Sequence, residues 1–174
     1  MGLTPSQMPI LRPIPIPTKG KPWYGRLWAW LSVTRQWEVM EDYAFDWKGI
    51  TLLILKGFIF DGASIPRIFW AVLSPTGLLL IPGLFHDHGY RFDFLWQLLP
   101  DGTLIKFHNG AGRSFWDRLF HDMGEVVNGV HFANSVAWGA LKVGGWMAWA
   151  KHRNHEYPSD KLPPMDERGE TPSG

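Results

Sequence analysis

The sequence predicts an α+β domain, a small N-terminal antiparallel β-hairpin or sheet packed on about three helices, with flexible proline-rich termini. Three observations predict it. Residues 36–47 alternate apolar and polar side chains and are followed, across Lys48-Gly49, by the apolar, partly β-branched run of residues 50–55. Beyond residue 113 apolar side chains recur at spacings of three and four, most clearly from residue 131 onward. Prolines crowd both ends, where large apolar residues are few or isolated.

Taken in order, residues 1–22 carry proline at 5, 9, 13, 15, 17 and 22 and are expected to form an extended arm. Ile10, Ile14 and Ile16 are broken up by proline or arginine, so no signal peptide is expected. Residues 23–155 form the single domain. Trp37, Val39, Tyr43, Phe45 and Trp47 mark one strand, and residues 50–55 the second strand of a hairpin. Residues 57–60 lead into Asp61-Gly62-Ala63-Ser64-Ile65-Pro66-Arg67, a shaped loop in which glycine permits unusual φ and proline stops a helix from starting early. Residues 69–85 carry no charge, but Pro75, Gly77, Pro82 and Gly83 divide them, which predicts a buried turn and the start of a core helix. That helix is expected to run through His86 to about Trp96.

Residues 99–103 are turn chemistry, residues 104–107 a short extended piece, and Gly110-Ala111-Gly112 a break. A second helix is expected from Arg113-Ser114, with Ser114 as N-cap, Asp117 in the capping-box place, and an end near Gly124 or Gly129. In the third helix, Phe132, Val136, Gly139, Val143 and Met147 predict the apolar face. His131, Ser135, Trp138, Lys142, Trp146, Trp149 and Arg153 form another stripe. Lys142 at mid-helix makes a bilayer span costly, by about 3 kcal/mol, so a transmembrane helix is not expected. Residues 156–174 read as a disordered tail.

The chain of 174 residues has 17 basic and 16 acidic side chains, and this balance of +1 gives no general handle on a polyphosphate, so no nucleic-acid partner is expected. The absence of cysteine excludes disulfides, thiolate metal sites and a cysteine nucleophile. The 11 tryptophans are the compositional outlier and must be hidden or used. Trp23, Trp28, Trp30, Trp37 and Trp47 are expected to cover the sheet. Trp70, Trp96 and Trp116 are expected to flank the candidate site, and Trp138, Trp146 and Trp149 to form a docking stripe with Lys142 and Arg153.

Chemistry concentrates in Asp61–Ser64, in His86-Asp87-His88-Gly89-Tyr90, and in Asp117 with His121-Asp122. On a helix His86 and Tyr90 share a face while Asp87 points about a quarter turn away, so imidazole and carboxylate face different groups, the carboxylate for instance a cation. Asp117 and His121 share a face of the second helix, and an antiparallel pair of helices lets Asp117 reach His86 and fix its tautomer. Other readings stay open. Asp61 and Ser64 satisfy turn donors equally well, and His86, Asp87 and Tyr90 suit a buried network with Arg67 or Arg91 neutralising Asp87. Asp117 fits the macrodipole of a helix start. His88, His108 and His121 with Asp122 are weighed as zinc or iron ligands, and their spacing matches no dedicated pattern.

In order along the chain, residues 60–70 (Phe-Asp-Gly-Ala-Ser-Ile-Pro-Arg-Ile-Phe-Trp), 85–91 (Phe-His-Asp-His-Gly-Tyr-Arg) and 113–120 (Arg-Ser-Phe-Trp-Asp-Arg-Leu-Phe) resemble the domain of unknown function family 1353 of tailed phages and prophages. The resemblance covers roughly residues 37–150. It departs at Trp116, where the family usually has alanine, and it implies a phage source without an activity. The helical His-Asp-x-x-Tyr, with its preceding glycine-containing loop and later aspartate, is also similar to the core of phospholipase A2 enzymes. That second likeness implies His86 as base, Asp117 as its orienter, Asp87 with Asp61 and Gly62 as calcium ligands, and Ser64, Arg67 and Tyr90 as support. The loop lacks that family's repeated glycines, and its disulfides are absent.

The expectation is therefore a phage-encoded hydrolase-like domain using a His86/Asp117 dyad, with calcium as the candidate cofactor, on an ester-type bond at a lipid or cell-envelope surface. The alternative is a noncatalytic virion or tail-associated component whose arms and tryptophan stripe dock other phage proteins. The expected location is accordingly the virion or the infected host cytoplasm.

Overall fold

The computed structural model describes residues 8–15, 20, 22–24, 36–60 and 79–153. Among these residues the fold is α+β, with two antiparallel sheets and three helices. The smaller sheet has the order β1 (Leu11–Pro13), β2 (Trp37–Val39), β5 (Ile59–Phe60). The larger has the order β3 (Tyr43–Trp47), β4 (Ile50–Ile54), β6 (Leu95–Leu98), β7 (Leu104–Phe107). The helices are α1 (Leu80–Phe92), α2 (Arg113–Asn128) and α3 (His131–Arg153).

The hairpin of β3 and β4 forms where the alternation places it. Lys48 and Gly49 both take positive φ, 54° and 79°, the two-residue geometry that matches strand twist, and Asp46 Oδ1 accepts the Gly49 N–H at 3.1 Å. Strand alternation then divides the larger sheet between two cores. Tyr43, Phe45, Leu52, Ile54, Leu95 and Phe107 face the main core, whereas Ala44, Leu53, Leu55, Phe94 and Trp96 form a second cluster on the other side. The main core takes Leu80, Ile81, Leu84 and Phe85 from α1 and Trp116, Leu119 and Met123 from α2. Phe85 lies between Tyr43 and Phe45, with ring centroids 6.1 and 5.9 Å away.

Several sequence expectations are corrected. The single strand expected over residues 36–47 is two strands in different sheets. Val39 hydrogen-bonds toward β5 and its loop, while Asp42 Oδ1 accepts the Lys56 N–H at 2.9 Å as the chain turns into the larger sheet. Leu11–Pro13, inside the arm, is an edge strand, a position where proline's missing donor is tolerated. The first helix stops at Phe92 and not near Trp96, because Asp93 adopts a left-handed φ of 60° and its N–H caps Gly89 O; Trp96 is in a strand. The second helix starts at Arg113 behind Gly112, with no side-chain cap, so Ser114 is not its N-cap. It ends at the left-handed Gly129, as expected.

The inward face of α3 is shifted at its start: Val136 packs as expected against Leu79, Phe120 and Ala137, and the side chains of Val143 and Met147 lie outside those described. Phe132 is 72% exposed, whereas Asn134 and Ala137 are buried. Asn134 enters because Gly124 of α2 leaves the space: a Cβ there would stand 2.5 Å from Asn134 Oδ1. Its amide is satisfied by Glu125 at 2.9 Å and by Asn128 at 3.1 and 3.2 Å. No helix among the described residues is long and apolar enough to cross a membrane.

Candidate functional site

Packing of α1 against α2 builds one buried polar centre inside the apolar core. His86 Nε2 lies 3.1 Å from Asp117 Oδ1, and the Tyr90 hydroxyl, one helical turn beyond His86, donates to the same oxygen. All three side chains are buried. The imidazole lies against the Tyr90 ring with centroids 4.0 Å apart, Phe120 meets it edge-on at 5.5 Å, and Trp149 of α3 closes over Tyr90 at 5.3 Å. Asp117 is thus a buried partner on α2 and neither a capping-box residue nor a mere macrodipole carboxylate.

The electrostatics follow from that geometry. Burial alone would lower the His86 pKa, but the hydrogen bond to Asp117 and the nearby charges of Asp87 and Asp117 outweigh it and hold the pKa above its ordinary value. Burial alone would raise Asp117, yet the hydrogen bonds from His86 and Tyr90 outweigh it and keep the carboxyl below the ordinary range. Burial and the bond to Asp117 both push the Tyr90 phenol up, so it stays a donor. Asp87 lies closer to His86 than a quarter turn suggested: its Oδ1 is 3.8 Å from His86 Nδ1, so the two carboxylates bracket the ring.

Asp61, Gly62, Ser64 and Arg67 lie outside the described residues. The chain entering Asp61 is nonetheless tied to the helix that carries the dyad. Arg91 Nη1 donates to Ile59 O at 2.6 Å, and its guanidinium lies 5.1 Å from the Phe58 ring. The alternative metal cluster does not assemble, and among the described residues no group of three or more His, Asp or Glu gathers as a metal site. His88 is instead a core residue, with Nδ1 2.9 Å from Phe94 O. His108 stacks on Phe115 at 4.3 Å, and His121 packs on Trp138 at 5.7 Å.

The tryptophans sort differently from the expectation. Trp37 and Trp47 line the sheets, Trp23 is 76% exposed, and Trp96 belongs to the second core cluster away from the dyad. Trp149 joins the site in place of the docking stripe. Trp28, Trp30, Trp70 and the side chains of Trp146 and Arg153 lie outside those described.

Sequence reasoning missed Asp93 and Gly89. Asp93 Oδ1 accepts the Trp116 indole N–H at 2.7 Å and the Gly112 N–H at 2.9 Å. Gly89 admits Trp116: a Cβ on Gly89 would stand 2.5 and 2.6 Å from the indole's Cδ2 and Cε3. The glycine between His88 and Tyr90 was the one signal available, because a helix interior normally disfavours it. Gly89→Ala is expected to cost about 1–3 kcal/mol by overpacking. In urea denaturation the cost should shrink when combined with Trp116→Ala; simple additivity would refute the contact.

No curated protein and no solved structure matches the chain. A family model described as "Protein of unknown function (DUF1353)" matches residues 37–141, which span the larger sheet, β2 and β5 of the smaller one, α1, α2 and the first half of α3. With more than half of its 174 residues matched, the chain belongs to the DUF1353 family.

Proposed function

We propose that His86, Asp117 and Tyr90, with a cation site centred on Asp87, form a hydrolase-like centre in a phage-encoded protein, acting on an ester-type bond at a lipid or cell-envelope surface. The observation that carries this reading is the buried convergence of His86 Nε2 and the Tyr90 hydroxyl on one oxygen of Asp117. An ionised carboxylate only accepts, so Nε2 bears the ring proton and Nδ1 is the nitrogen that takes one. Water attacks the ester carbonyl carbon as its proton passes to Nδ1. Asp117 balances the imidazolium. The tetrahedral intermediate then expels the alkoxide, which takes the proton back from Nδ1. Because the His86 pKa is raised, the basic form gains as pH rises, so turnover should increase toward alkaline pH.

Asp87 offers a carboxylate beside the dyad, its side chain 15% exposed, a hard oxygen donor of the kind calcium takes, and Asp61 and Gly62 would supply further oxygens. When bound, calcium would polarise the ester carbonyl. Ser64 and Arg67 are assigned to support of that loop. A second reading rests on the same burial: the network ties α1 to α2 in a noncatalytic virion or tail component.

Thermal melts and turnover separate the two. Calcium is expected to raise the melting temperature, and His86→Ala to cut hydrolysis of phospholipid vesicles or ester probes by about a hundredfold or more with unchanged circular dichroism. A wild-type protein that neither responds to divalent ions nor turns over these probes, and that is stoichiometric in purified particles, would establish the structural reading.

A further inference from the structure

The junction between α1 and α2 carries polar groups that the proposed chemistry does not use. Asp93 caps α1 in the left-handed region, φ 60° and ψ 28°, a position where glycine is the default and aspartate is tolerated. Its backbone N–H donates to Gly89 O at 2.8 Å, and its carbonyl accepts the Gly110 N–H at 2.8 Å. Its side chain then takes two donors from the start of α2, the Gly112 N–H at 2.9 Å and the Trp116 indole N–H at 2.7 Å. The same indole is fully buried and fills the space that Gly89 leaves. Residue 116 therefore touches α1 at two points one turn apart.

Each point adjoins the dyad. Gly89 precedes Tyr90, and Trp116 precedes Asp117. A slip of α2 by one residue would shift it about 1.5 Å along its axis and turn it about 100°, which takes the Asp117 carboxylate away from His86. The two bonds of the centre share one oxygen and tolerate no such error.

We propose that Asp93 is a positioning residue for the His86–Asp117 pair, acting through Trp116. The inference rests on the dyad being the functional centre, but its test reads the geometry of the pair and not turnover. Asp93 fixes the indole, the indole fixes the rotation of α2 against Gly89, and that rotation sets Asp117 against His86 Nε2. Trp116 is thereby matched by a glycine and by an acceptor for its N–H.

The probe is the His86 Nε2 proton, followed by NMR in protein labelled with nitrogen-15 histidine. Asp93→Gly suits the left-handed backbone and removes only the side-chain acceptor. It is expected to speed exchange of that proton about tenfold or more and to shift the Trp116 indole resonance. Asp93→Asn retains Oδ1 and should restore both signals. Trp116→Phe, which keeps a ring and loses the donor, should reproduce Asp93→Gly, and it serves in its place if Asp93→Gly does not fold. Asp46→Ala, which removes a comparable turn bond in the β3–β4 hairpin, should leave the His86 proton unchanged. An unchanged His86 proton in both Asp93→Gly and Trp116→Phe, or an equal effect from Asp46→Ala, would overturn the inference. A wild-type protein without turnover would remove the hydrolase reading and leave this result intact.

Discussion

Replacing Asp117 with alanine is expected to destabilise the protein by about 3–5 kcal/mol, because two buried donors lose their common acceptor and a raised imidazole loses its counter-charge. The sign of the pH dependence follows from both partners. Asp117 has a folded pKa below its ordinary 3.8, so its contribution is present above 3.8 and is lost as pH falls through the folded value. His86 has a folded pKa above its ordinary 6.5, so its contribution is present below 6.5 and is lost as pH rises through the folded value. Both are fully present between pH 3.8 and 6.5, and the penalty of Asp117→Ala should be largest there and shrink at alkaline pH. Asp117→Asn keeps one acceptor and should cost less, about 1.5–3 kcal/mol. Urea denaturation of the three proteins at several pH values, with chelator present, measures this directly. A penalty for alanine below about 1 kcal/mol, the range of an exposed ion pair, would mean that the centre is far less buried than its geometry implies.

How much of this fold was legible depended on whether the pattern was local. The β3–β4 hairpin was readable because alternation and a Lys-Gly turn agree within a dozen residues. The split of residues 36–47 was not, since it is decided by pairing with Leu11–Pro13 and Ile59–Phe60, partners distant in sequence. The end of α1 was missed for a different reason. Residues 94–98 are an apolar run that suits helix or strand equally, and the stop is an aspartate in a conformation usually held by glycine. The start of the inward face of α3 escaped periodicity counting because the most buried of its described side chains is Asn134, admitted by Gly124 and satisfied by Glu125 and Asn128.

The centre itself was legible in its parts. The spacing of His86 and Tyr90 puts them on one face, and Asp117 on the next helix is within reach once the two helices pack. What spacing does not encode is which contacts set the helices' register. That information lies in Asp93, Gly89 and Trp116, each unremarkable alone, whose relation appears only when the indole is seen to fill one residue's missing Cβ and bond to another's carboxylate. Trp149 entered the site for a similar reason: its partner Tyr90 is remote in sequence.

His88 is expected to set the acid limit of stability. Its ring is enclosed by Phe58, Phe92 and Phe94 at centroid distances of 5.0, 4.7 and 5.6 Å, and Nδ1 donates to Phe94 O, which fixes a neutral tautomer. Burial is the chief cause that lowers its pKa from 6.5 to about 3. The unfolded chain therefore binds a proton that the folded chain refuses. The stability this represents is intact above pH 6.5 and is withdrawn progressively as pH falls toward 3, on the order of 5 kcal/mol in all. His88→Asn places an amide donor where Nδ1 lies and removes the titration. It should be less stable than the wild type at neutral pH by about 2 kcal/mol, from lost ring contacts. That deficit should shrink on acidification and reverse at roughly pH 5, where the wild type has lost a similar amount. Urea midpoints from pH 4 to 8 in chelator test this. Parallel curves for the two proteins would show that His88 accepts its proton in the folded state, and would move the origin of acid sensitivity to the carboxylate partners of His86.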